Sequence, residues 1–117
     1  MTTVVNFELA KLLEQKGFDD ESAYYYNEKG EMLFDKDFPS WQSTKPDSYY
    51  DAPTIAEVCM WLYEKHNIWV NVYLYKDHAA DVNDDYMFRS NYTKIWEYKT
   101  PEQAYEAAIE YVLNNMI

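Results

Sequence analysis

The sequence predicts an α+β domain with helices packed on one face of an antiparallel sheet. Three observations predict it. Thr54 and Thr100 each open a capping pattern in front of an apolar helical stripe. Residues 68–75 alternate strictly between aliphatic and polar or aromatic side chains, the period of a strand. Two short β-prone runs on either side of a turn ending in Gly30 read as a hairpin. The expected order is α-β-β-α-β-β-α in one domain covering residues 1–117.

Taken in order, Asn6 is placed to cap a first helix and Gly17 to end it in a left-handed conformation. Leu9, Leu12 and Leu13 share one side of that helix; Glu8, Lys11, Glu14 and Gln15 share the other. The hairpin follows, with Ala23-Tyr24-Tyr25-Tyr26 and Met32-Leu33-Phe34 as its arms. Residues 35–53 show no periodicity and carry Pro39, Pro46 and Pro53 among four aromatic residues. So long a stretch without a pattern is often functional.

At Thr54-Ile55-Ala56-Glu57 the Thr and Glu side chains are spaced to satisfy each other's free amides. The helix they open puts Ile55, Val58, Cys59, Leu62 and His66 on one stripe. In the strand after it, Ile68, Val70, Val72 and Leu74 are expected on the core face, and Trp69, Asn71, Tyr73 and Tyr75 on the other. Residues 76–85 form a polar, acidic loop, and residues 86–98 read as one strand, or two around Asn91. Thr100-Pro101-Glu102-Gln103 signals the last helix by a capping box and by Pro at its first position. Its stripe is Ala104, Tyr105, Ala108, Ile109, Val112 and Met116.

Composition narrows the function classes. The 117 residues are 48% hydrophobic and 19% aromatic, with thirteen Tyr, which is enough apolar material for a packed core and argues against intrinsic disorder. The net charge is -11, with 11 acids against 5 bases before Thr54 and 10 against 5 from there on. An acidic field spread over the whole chain repels phosphate backbones, so no direct nucleic-acid binding is expected and a basic partner is favoured. A lone cysteine, Cys59, makes no disulfide within the chain and fits a reducing compartment. The first residues lack a basic leader, and the longest apolar run, residues 58–63, is far below the ~20 needed to span a bilayer. The expectation is a cytoplasmic protein with no membrane association, in which the sequon at Asn91 is a chance match.

Ala52-Pro53-Thr54-Ile55-Ala56-Glu57-Val58, then Trp61-Leu62 and Glu64-Lys65-His66-Asn67-Ile68, form one distinctive run. The close, residues 104–113, and the Tyr-Tyr-Asn-Glu-Lys-Gly hairpin form two more. Together they resemble small proteins encoded by phages and mobile elements of Bacteroidales-type gut bacteria. The resemblance implies an accessory gene acting inside a bacterial cell. It implies no activity and no catalytic residues.

Residues that could carry chemistry are few. Cys59 lies on an apolar stripe, where a thiol is a small core residue and not a nucleophile. His66 ends its helix, where an imidazolium interacts well with the dipole, and His78 falls in a polar loop. The run at residues 81–85 opens like a calcium loop, but Tyr86 replaces the required Gly and Tyr92 the bidentate Glu. No metal, cofactor or catalytic set is expected. Two features stand above this background. The aromatic residues Trp41, Tyr49, Tyr50, Trp69, Tyr73 and Tyr75, with Tyr24 and Tyr26, exceed what a small core requires. Glu102, Glu106 and Glu110 recur every four residues, as an acidic stripe on the last helix. The reading is a non-enzymatic protein-binding module with a basic partner, such as a host nucleic-acid enzyme or defence factor. The alternative is an enzyme or small-ligand binder with a pocket between the sheet and loop 35–53.

Overall fold

The computed structural model describes residues 3–20, 22–34, 49–76, 86–92 and 98–117; at 75, 76, 86 and 87 it describes the backbone alone. Among the described residues, three helices and small antiparallel sheets give the α+β class. Loop residues 35–48 and 77–85, with Trp41, His78 and the calcium-like run, lie outside the described residues. The chain divides into two compact units, Met1–Trp61 and Leu62–Ile117, and the second helix begins in the first and ends in the second.

In the first unit, helix α1 (Phe7–Gln15) starts where Asn6 Oδ1 accepts from the Leu9 amide at 2.8 Å. It stops at Gly17, whose φ of 90° is open to glycine at no steric cost. Leu9, Ala10 and Leu13 are its buried face, and Lys11 reaches Glu8 at 3.2 Å on the outer one. Strands β1 (Tyr24–Tyr26) and β2 (Met32–Phe34) pair antiparallel. Their turn is organised by Asn27, whose Oδ1 accepts from the amides of Lys29 and Glu31, both at 2.9 Å. Gly30 sits there at φ 82°, and a Cβ on it would meet the Phe7 ring at 3.1 Å.

A short strand, β3 (Tyr50–Asp51), pairs with the other edge of β1 at the end of the stretch expected to be irregular. Tyr26, grouped by sequence with the surplus aromatics, is buried in this sheet and donates its hydroxyl to the Val5 carbonyl at 2.6 Å. Phe7 packs edge-on against Tyr26 and Tyr50, with ring centroids 5.5 and 5.8 Å away.

Helix α2 (Ile55–His66) opens on the expected reciprocal cap. The Thr54 amide donates to Glu57 Oε1 at 3.0 Å and the Glu57 amide to Thr54 Oγ1 at 3.2 Å. Ile55, Val58 and Leu62 are fully buried as expected, and Trp61 joins them. Cys59 is half-buried, at the margin of the stripe instead of its centre, because the buried arc extends to Trp61 on the side of the helix away from Cys59. Burial still pushes its thiol up to about 11. Against the ordinary value of 9.0 this lowers the thiolate fraction at pH 8 by a factor of ~100. Maleimide labelling of the native protein is expected to be slower than that of the urea-unfolded chain by up to that factor. Equal rates would show that the thiol meets solvent freely.

In the second unit, β4 (Val72–Lys76) and β5 (Tyr86–Ser90) form a two-stranded antiparallel sheet, and α3 (Pro101–Asn115) packs on both. Thr100 caps α3, its Oγ1 accepting from the Gln103 amide at 3.2 Å. Ala104, Ala108, Ile109 and Val112 are buried as the stripe requires. Leu113 is buried too, whereas Met116, past the helix end, is exposed and Tyr105 is half-buried. The described strands thus make two sheets, and the expected strand at 68–75 begins only at Val72. Leu74, expected in the core, is 54% exposed.

Candidate interaction surface

The turn after α2 builds the most exposed aromatic pair among the described residues. Asn67 takes φ 54°, a left-handed value that its short amide tolerates better than most side chains. Its amide donates to the Tyr63 carbonyl at 3.2 Å and that of Ile68 to the Leu62 carbonyl at 3.1 Å, closing the helix end. The reversal brings Trp69 back against Tyr63, edge to face with ring centroids 5.4 Å apart. Trp69 is 55% exposed and Tyr63 50%, so both rings offer a large apolar area to solvent.

Asn91 fixes the segment that carries Trp69. Its Nδ2 donates to the Trp69 carbonyl at 2.8 Å and its Oδ1 accepts from the Asn71 amide at 3.0 Å. The Asn91 amide in turn donates to the Asn71 carbonyl at 3.0 Å. The nitrogen that a glycan on this sequon would occupy is therefore committed to holding the backbone. The indole stands on a short, doubly anchored segment, which lowers the entropy lost when a partner covers it.

The other sequence candidates are dispersed. Tyr73 is on β4 and exposed, and Tyr75 is two positions along the same strand. Tyr49 and Tyr50 are half-buried in the first unit, where Tyr50 leans on Phe7. Glu102, Glu106 and Glu110 occupy successive turns of α3; the first two are half-buried and the last is exposed. Near them Tyr111 stacks on Tyr92 at 6.2 Å, with the rings 26° from parallel. Sequence reasoning missed Tyr63 and Asn91. The helical phase of α2 does place Tyr63 off the buried stripe, a signal that could have found it; the Asn91 clamp depends on pairing between distant residues and has no local signature. Among the described residues no group of three or more His, Cys, Asp and Glu could hold a metal ion, and no helix is long and apolar enough to cross a membrane. Comparison with family models, with curated proteins and with solved structures finds no match.

Proposed function

We propose that this chain is a non-enzymatic protein-binding module, an accessory factor of a phage or mobile element acting inside a bacterial cell. Its partner is a protein with a basic surface, such as a host nucleic-acid enzyme or a defence factor. The observation that carries the reading is the exposed Tyr63–Trp69 pair on its braced turn. Trp and Tyr dominate the energetics of protein interfaces because each buries a large area while losing few rotamers. The net charge of -11 sets the sign of the partner. The mobile-element context rests on the resemblance of the helix, hairpin and closing segments alone.

The test is to recover a partner from a bacterial extract on the immobilised protein, then measure its association with purified variants. Trp69→Ala is expected to weaken binding by at least ~30-fold, the effect of an interface hot spot, while leaving the melting curve unchanged. Replacing Glu102, Glu106 and Glu110 by Gln is expected to slow association about tenfold at low salt and to matter less as salt rises. A partner that binds both variants as it binds the wild type would exclude these surfaces. A small molecule that raises the melting temperature, with no partner recovered, would favour the ligand-binding alternative.

A further inference from the structure

The two edges of the β4–β5 sheet differ. On the β5 side, Phe88 exchanges both of its backbone hydrogen bonds with Tyr98, its amide donating at 2.7 Å and its carbonyl accepting at 3.0 Å. Phe88 therefore turns its backbone away from β4, and the facing pair Leu74–Phe88 is a non-hydrogen-bonded one. By the alternation of an antiparallel ladder, Asn71, Tyr73 and Tyr75 point their amides and carbonyls towards β5. Those of Val72, Leu74 and Lys76 point outwards. The bond from the Asn91 amide to the Asn71 carbonyl agrees with this phase. Among the described residues no strand lies along that outer edge.

Natural proteins blunt such an edge with charged side chains, prolines, bulges or a covering segment, and β4 has one such device, Lys76 at its end. Here the centre is Leu74, more than half exposed, flanked by Tyr73 and Tyr75. The surroundings are unusual for this chain as well. Between Glu64 and Asp77 there is no acidic residue, in a protein with 21 of them.

We propose that β4 pairs with the β4 of a second copy of this chain, antiparallel about a two-fold axis through Leu74, giving a four-stranded sheet β5-β4-β4-β5. This register pairs all five residues of each strand. Leu74 faces Leu74, Val72 faces Lys76 and Tyr73 faces Tyr75. The outward-pointing residues Val72, Leu74 and Lys76 are those that meet as hydrogen-bonded pairs. The tyrosine positions fall at the closely spaced, non-hydrogen-bonded pairs. The single charge of the strand stands opposite a valine, so no like charges face each other. A parallel or shifted pairing loses one or more of these matches. An arbitrary basic partner has no reason to match an acid-free strand, whereas the strand itself does.

One five-residue pairing is small beside a stable interface, so the dimer is weak and concentration-dependent. It goes beyond the proposed function and separates from it by its salt response. Two chains of charge -11 repel each other, so salt strengthens the dimer, whereas it weakens binding of a basic partner.

The experiment is sedimentation equilibrium on the full chain up to about 1 mM, at low salt and at about 0.5 M salt. The expected result is a mass rising from 14.1 kDa towards twice that value, further at high salt, with Leu74→Glu remaining a single chain. Hydrogen exchange on the wild type gives a second reading that needs no variant. The Leu74 and Val72 amides gain protection as concentration rises, and the Tyr73 amide, already bonded within the sheet, does not. A mass that stays at one chain throughout, a Leu74→Glu protein that dimerises like the wild type, or Leu74 protection independent of concentration would each overturn the proposal.

Discussion

Trp61→Ala is expected to destabilise the protein by ~3–5 kcal/mol. Trp61 is 2% exposed, and its ring meets that of Phe18 edge-on at 5.3 Å. Phe18 is held under it by the left-handed step at Gly17 and by a hydrogen bond from its own amide to the Leu13 carbonyl at 3.0 Å. Removing the indole deletes the largest buried side chain of α2 and the face against which Phe18 packs. The backbone around Phe18 is tied to the end of α1, so the site has little freedom to collapse, and the cost stays near that of a retained cavity. A domain of this size has a total stability of only ~5–15 kcal/mol, so the loss is a large share of it. Urea unfolding followed by far-UV circular dichroism measures it as a fall in the midpoint at unchanged slope.

Leu62→Ala is expected to cost ~2–5 kcal/mol, for a related reason with a different geometry. Leu62, the residue next to Trp61 in α2, is completely buried. Its backbone carbonyl accepts from the Ile68 amide, a bond that alanine keeps, so the loss isolates the side chain. The neighbours on the helix provide the control. Met60 and Tyr63 are about half exposed, and alanine at either is expected to change stability by less than ~1 kcal/mol. The four consecutive substitutions then read the phase of α2 directly: small, large, large, small. Similar costs at Met60 and Leu62 would contradict the burial pattern of the helix.

Much of the fold was legible because its signals are local. Asn6, Thr54 and Thr100 mark helix starts through hydrogen bonds to amides three residues on, and each bond forms. Gly17 and Gly30 mark the two glycine turns, and both take positive φ. What was not legible depends on residues far apart in the chain. Alternation at 68–75 reports an extended backbone but not which part of it finds a partner; the ladder starts at Val72, and ahead of it Trp69 and Asn71 are held by the amide and side chain of the single residue Asn91. β3 is two residues long and exists only because β1 offers it an edge. Leu74, assigned to the core by alternation, is more than half exposed: burial depends on what covers a face, and nothing in a period of two records this. The Tyr63–Trp69 pair was half legible: the surplus of aromatics pointed to Trp69, and the turn that brings Tyr63 to it did not announce itself.

The helix that both units share limits how this gene can be divided. α2 has twelve residues, and the boundary between the units falls inside it, between Trp61 and Leu62. Isolated helices shorter than ~12–15 residues are marginal in water, and a cut at that boundary leaves each piece with about half a helix and one of the two large buried anchors. The reciprocal cap at Thr54 stays with the first piece and the left-handed stop at Asn67 with the second, so each stub has one frayed end. Fragments designed for complementation, reporter insertion or separate expression should therefore keep residues 54–67 whole.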